Sequence, residues 1–270
     1  MPRHLTCCAL AALLIAPPPP ATAADLQQRT TAAFDRYVQA IEQQMPRRPA
    51  FLWVDRDGGP ARQKAHDALA RGELRIESVD RDDTQVSRDV PDGLVHHWVG
   101  TVFVPGATID EALTLLQDYD HHATIYAPAV SRSKLLSRDG NTFRMQLRFT
   151  MTRVITVVVD TDNEAVFTHD TPERASSRIH STRVSEVENA GRPDERQLPV
   201  GHDGGYMWRI NSYWRLLQQD GGVYIECESI SLTRDIPFGL GWIVKPFVTS
   251  LPKDSLAFTL DTTRKALAKK

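Results

Sequence analysis

The sequence predicts an α+β fold: a curved antiparallel β-sheet wrapped around a long C-terminal helix, with a helical extension on the N-terminal side. Three observations predict it. Phe143, Met145, Leu147, Phe149 and Met151 alternate with Arg144, Gln146, Arg148, Thr150 and Thr152, the cleanest two-residue period in the chain. About six strand-like segments follow one another up to Leu232 with only short turns between most of them, and strands joined that way are antiparallel. Leu256, Leu260, Thr263 and Leu267 then form one helical stripe. A twisted sheet of that size curls, and the stripe must bury itself against the concave side.

Taken in order, residues 1–23 read as a secretory signal peptide. Arg3 and His4 make a weakly positive start, and Leu5 to Ala16 is apolar but shorter than the ~20 residues of a spanning helix. Pro17 to Pro20 break any helix, and Ala21-Thr22-Ala23 offer small residues for cleavage. The expected location is secreted or periplasmic. Cleavage removes Cys7 and Cys8 and leaves Cys227 without a disulfide partner. Cys227 lies in a strand-like run, where a small buried hydrophobe is expected.

Residues 24–92 read as a helical extension. Phe34, Tyr37, Val38, Ile41 and Met45 share one helical face, and Pro46 ends that helix. Pro60 suits the first turn of a second helix and Gly72 its stop. Leu74 and Ile76 alternate with charges like an edge strand, and residues 80–92 read as a polar linker. The unit is too small to own a core and is expected to pack onto the domain C-terminal to it.

The main domain is assigned to residues 93–270. A strand from Leu94 to Val104 ends in the Pro105-Gly106 turn, and Thr108 with Glu111 forms a capping box for a helix carrying Ile109, Leu113, Leu116 and Tyr119. Asp139-Gly140-Asn141 and Asp220-Gly221-Gly222 are turn signals. Strands are expected at 154–159, 165–169 and 175–187, with a long exposed loop at 188–204. Tyr206, Trp208, Ile210, Trp214 and Leu216 line one side of the next strand, and Val223 to Leu232 returns. The last helix is expected to open near Ser250.

This order resembles the START/Bet v1-like (SRPBCC) superfamily, the helix-grip fold, which includes proteins labelled polyketide cyclase/dehydrase or lipid-transport-like. The likeness rests on Gly100-Thr101-Val102-Phe103-Val104-Pro105 with the helix Ile109 to Asp118, and on Tyr119-Asp120 leading to Ala127-Pro128-Ala129-Val130. It rests also on Ser231-Leu232-Thr233-Arg234-Asp235-Ile236-Pro237 leading through Pro246-Phe247 to Leu256–Leu267. It covers roughly two thirds of the chain and is a likeness of pattern, without one diagnostic motif. The resemblance implies a cavity between sheet and helix for an apolar ligand, in most members without a metal.

The resulting functional reading is a binding protein that holds a hydrophobic, lipid-like small molecule, with no cofactor. The ligand-binding candidates are Phe143, Met145, Leu147, Phe149 and Met151, with Phe143's side inward, and the aromatic residues Tyr206, Trp208 and Trp214. Each set either lines a pocket or fills the core. No nucleophile elbow, phosphate loop or paired-carboxylate motif is visible, so no catalytic residue is named. The alternative is a cyclase or dehydratase-type enzyme acting on a polyketide-like substrate. His96-His97 and His121-His122 have poor spacing for a metal, because neighbours on a strand face opposite ways. His121-His122 with Asp118 and Asp120 reads as a solvated polar cluster. Arg144, Arg148, Arg209, Arg215, Glu226 and Glu228 read as cross-strand pairs on the outward face. The apolar run Phe238–Val244 either connects to the last helix or touches a membrane transiently. A net charge of -2 without a dense Lys/Arg run excludes a nucleic-acid binder.

Overall fold

The turns organise the sheet. At Gly140 (φ 54°), Asp220 (φ 55°) and Gly221 (φ 73°) the backbone enters the left-handed region, which lets short hairpins match the strand twist. The computed structural model describes residues 24–79, 88–152, 155–235 and 241–268. The elements are β1 (Ala24–Asp25), α1 (Gln28–Gln44), α2 (Gly59–Ala70), β2 (Arg75–Ser78), β3 (Gly93–Pro105), α3 (Ile109–Gln117), α4 (His122–Ile125), β4 (Val130–Asp139), β5 (Thr142–Thr152), β6 (Thr156–Thr171), β7 (Arg174–Glu188), β8 (Arg196–Gln197), β9 (His202–Asp203), β10 (Arg209–Gln219), β11 (Gly222–Arg234) and α5 (Gly241–Ala268). The antiparallel main sheet runs β2-β3-β11-β10-β7-β6-β5-β4, with β8 added on β7, while β1 pairs with β9. The edge strand β4 carries two irregularities, between Val130 and Arg132 and between Leu135 and Ser137.

One face grips α5. Leu256, Leu260 and Leu267 join Val102, Val104, Phe143, Met145, Phe167, Trp214, Leu216, Ile225 and Cys227 in the main core. Helix α3 closes one end of this core with Ile109, Ala112, Leu115 and Leu116. The Thr108–Glu111 capping box is present, so both backbone and side-chain groups at that helix start are satisfied. This is the helix-grip arrangement.

The opposite face is covered as well. Helix α1 lays Phe34, Tyr37, Val38 and Ile41 on Trp208, Tyr213, Ile230 and Leu232. Leu52, Val54, Ala65 and Leu69 cover Phe103, Leu217 and Tyr224. Between these two clusters lies a charged network. Arg215 bonds Glu226 at 2.8 Å and Glu228 at 3.0 Å across the β10–β11 pair. Arg48, from the extension, bonds both Glu228 oxygens at 2.6 and 2.8 Å, and Trp53 donates its backbone N–H to Glu226 at 2.6 Å. His97 Nε2 meets Glu228 at 2.8 Å and its Nδ1 meets Tyr37 Oη at 2.7 Å. Both carboxylates are fully buried. The outward pairing of Arg215 with Glu226 and Glu228 is present, as are Arg144–Glu164 and Arg148–Asp160. Near β11, however, that face is interior, because the extension supplies both apolar cover and Arg48.

Three expectations need correction. The segments expected at 154–159, of which residue 154 lies outside the described residues, and at 165–169 merge from Thr156 onward into one strand, β6, continuous over Thr156–Thr171, because every residue from Thr156 to Val166 finds a partner on β5. The 188–204 stretch is mostly exposed, as expected, but it is tied down: it forms β8 and β9, Arg148 holds Glu195 at 2.8 Å, and Asp203 is buried. Helix α5 begins at Gly241, nine residues before Ser250, and takes Pro246 and Pro252 into its length. Proline costs a helix one backbone bond and a local bend, which long helices survive.

Candidate functional site

Strand alternation places Phe143, Met145, Leu147, Phe149 and Met151 on one face. Phe143 and Met145 are core residues beneath α5, and Leu147 and Phe149 pack against the same core. Gly100 makes the close approach of α5 possible. A Cβ there would stand 2.5 Å from Leu260 Cδ1 and 3.1 Å from Ile76 Cγ1. The register continues the gripped face across the sheet, with Phe167 opposite Ser177, Ser177 opposite Trp214, Trp214 opposite Cys227 and Cys227 opposite Gly100.

Burial changes along this face. Phe143 and Met145 are each only 1% exposed. Leu147, Phe149 and Met151, further along the same strand, are half-buried, as are Ile179 on β7, Ile210 and Ser212 on β10, Ser229 on β11 and Trp98 on β3. Phe258 of α5 is half-buried beside them. The gripped face thus has a closed half near α3 and an apolar half that is less covered. Arg144, Arg148, Arg178, Arg215, Glu226 and Glu228 point to the other face, so these charges do not line it.

The aromatic set does not form one stripe. Trp214 belongs to the gripped core. Trp208 precedes β10 and packs with α1 on the opposite face, its Nε1 donating to Asp203 at 3.0 Å. Tyr206 lies in the loop before β10, under the Arg234 guanidinium at 5.8 Å. The period-two reading fails here because the strand starts only at Arg209.

The polar members of the gripped core are neutral groups. Tyr119, His122 and Tyr126 cluster, with ring centroids 4.8 Å and 5.1 Å from His122. His122 is buried, unlike its exposed neighbour His121, which pairs with Asp118 at 2.7 Å. The solvated reading therefore holds for His121 and fails for His122, whose ring turns under α3 towards the Leu115 carbonyl at 3.3 Å. Burial draws His122 down to about 4, and burial pushes the Tyr126 hydroxyl up to about 12. Tyr126 Oη bonds Thr263 of α5 at 3.0 Å. Cys227 is buried, and burial raises its thiol above the ordinary range. Tyr119 Oη and Ser177 Oγ are buried without a hydrogen-bond partner among the described residues.

Sequence reasoning missed Ile179, Trp98 and the Tyr119–His122–Tyr126 cluster. The apolar position of Ile179 within β7 was a usable signal, whereas β3 is apolar on both faces and hides which side Trp98 takes. No group of three or more His, Cys, Asp or Glu among the described residues could hold a metal ion. No helix among them is long and apolar enough to cross a membrane. Of the run Phe238–Val244, residues 238–240 and the side chains of 241–244 lie outside the described residues, as does the signal segment 1–23.

No family model and no curated protein matches the chain. Solved structures do align with it. The protein TTHA0849 from Thermus thermophilus is 14% identical, with a TM-score of 0.45 over 63% of this chain and 96% of its own. A STAR-related lipid transfer protein fragment from Xanthomonas axonopodis is 18% identical, with a TM-score of 0.44 over 67% of this chain and 96% of its own. The Zhui aromatase/cyclase from Streptomyces sp. R1128 is 12% identical, with a TM-score of 0.42 over 65% of this chain and 94% of its own.

Proposed function

We propose that this chain is an exported binding protein that holds an apolar small molecule between the gripped face of the sheet and α5. The observation that carries this reading is the burial gradient along β5. The same alternating face that is sealed at Phe143 and Met145 leaves Leu147, Phe149 and Met151 half-covered, within a wall built of Ile179, Ile210 and Trp98. An apolar wall with a few polar groups is the usual composition of a small-molecule site. The strand charges face away from it, so the ligand is expected to be neutral where it meets β5.

Native mass spectrometry of the exported protein, followed by solvent extraction, tests this. A defined added mass that extracts as a neutral lipid-like compound is expected. Phe149→Asp, which sets a charge in the wall, should weaken its retention at least tenfold, a loss of about 1.4 kcal/mol or more. A bare protein mass, unchanged after incubation with host lipid extract, would sink the proposal. Export itself is checked by sequencing the N-terminus of the secreted chain, which should begin near residue 24.

A second reading, a cyclase or dehydratase-type enzyme, draws on the Tyr119–His122–Tyr126 cluster. General acid–base work favours groups that titrate near the working pH. Burial moves His122 and Tyr126 away from neutrality in opposite directions, which leaves the binding reading ahead.

A further inference from the structure

A cleft of about 950 Å³ lies on the face of the sheet opposite the gripped one, where residues 45–51, joining α1 to α2, overhang β10, β7 and β6. Small-molecule sites commonly measure roughly 300–1,000 Å³. The geometry points to a second small-molecule site in this cleft, for a ligand that carries an oxyanion, a carboxylate or phosphate, on an apolar body.

Ser176 lines the cleft. It stands directly opposite Thr168 on β6 and Arg215 on β10. Such cross-strand partners hold their Cβ atoms about 4.5–5.5 Å apart. Arg174 and Arg178 flank Ser176 along β7 on the same face, each roughly 6.6 Å away. Three arginines and two hydroxyl residues therefore neighbour one another on this face, and all five line the cleft. The Thr168 and Ser176 hydroxyls have no hydrogen bond among the described residues, so their donors are available.

The charges are unevenly committed. Arg215 is fixed by Glu226 and Glu228, and Arg48 by Glu228, which commits both guanidinium groups and gives a rigid floor. Asp55 on the rim is taken by Arg62 and His66 at 2.7 and 2.6 Å. Glu42 accepts from His180 at 2.7 Å and Tyr213 at 2.9 Å, and Arg178 reaches it only at 3.7 Å. Arg174 has no carboxylate partner among the described residues and lies 5.2 Å from the Phe51 ring centre. Asp170 is the one competing rim carboxylate without an ion pair among the described residues. An oxyanion between Arg174 and Arg178 would gain charge-assisted hydrogen bonds from groups that otherwise have weak partners. The apolar body would lie against Met45, Phe51, Val166 and Leu217, which line the same cleft.

None of the residues assigned to this ligand belongs to the apolar wall proposed on the gripped face, so the two readings stand or fall separately. Isothermal titration of the full exported chain with 1-naphthyl phosphate is the test. Saturable one-to-one binding is expected. The double variant R174Q/R178Q should bind at least tenfold more weakly with an unchanged circular dichroism spectrum, D170N should bind more tightly, and inorganic phosphate should bind at least tenfold more weakly than the naphthyl ester. No saturable binding, or equal binding by wild type and R174Q/R178Q, would overturn the site. Equal affinity for inorganic phosphate would overturn the apolar part of the ligand.

Discussion

Glu228 shows how one side chain can bind two parts of the chain together. Burial alone would keep its carboxyl protonated, but Arg48, His97 and Arg215 outweigh that and hold it well below the usual carboxylate range. His97 is drawn down by burial, which keeps its ring neutral despite Glu228 beside it. With Nε2–H donating to Glu228, Nδ1 accepts from the Tyr37 hydroxyl. Glu228→Gln leaves Arg48 and Arg215 without a full counter-charge, and urea unfolding should show a loss of about 3–5 kcal/mol. Acid acts on other residues too. His96 and His122 are each drawn by burial from 6.5 down to about 4, so the folded protein holds them neutral while the unfolded chain takes up protons. Stability is then complete above 6.5 and falls as the pH drops from 6.5 towards 4, with each histidine accounting for about 3 kcal/mol at the acid end. Unfolding free energies at pH 7, 5.5 and 4.5 should follow this slope, and His122→Gln should flatten it. A slope unchanged in that variant would remove His122 from the account.

At the scale of elements, the contact between β3 and α5 depends on the missing side chain at Gly100. Gly100→Ala forces the new methyl into Leu260, itself fully buried, and overpacking of this kind costs about 1–3 kcal/mol. Leu260→Ala opens a void and costs about 2–5 kcal/mol alone. The double variant should lose clearly less than the two single losses added together, because each change relieves the other, and thermal unfolding of all four proteins decides it. Helix α3 depends on its first turn: Thr108→Ala removes a cap bond and should cost about 1 kcal/mol.

These elements also show where the sequence was readable. The β5 alternation and the Thr108–Glu111 box are local patterns, with cause and effect a few residues apart, and both are present as expected. The Asp220-Gly221-Gly222 turn was legible for the same reason. The start of α5 was not, because Pro246 gives the same local signal before a helix as within one. Glu226 and Glu228 alternate as solvated outward residues would, and the partner that buries Glu228 lies 180 residues away at Arg48. Of the candidate site, the β5 face was legible and the placement of Trp208 was not, since that depends on where β10 begins.

For the whole molecule, the sheet is a partition with both sides occupied. The described residues of the 24–92 segment form part of the interior: they cover Ile230, Leu232, Phe103 and Tyr224 and supply Arg48 to the buried carboxylates. A fragment of residues 93–270 would expose those apolar groups and leave Glu228 without Arg48. It should fail to give a cooperative unfolding transition, whereas residues 24–270 should give one by calorimetry. A stable, cooperative 93–270 fragment would show that the extension is an accessory.

An unpaired sheet edge invites a neighbour to continue it, and β4 is one end of the main sheet. Its two irregularities interrupt the row of backbone donors and acceptors, and it carries the charged side chains Arg132, Lys134 and Arg138, the first two paired with Glu195 and Asp120. A second molecule docking edge to edge would meet broken pairing and a row of charged side chains together. The small defects in β4 therefore protect the protein at high concentration. Straightening them would be a route to fibrillar self-assembly, with no change to either face of the sheet.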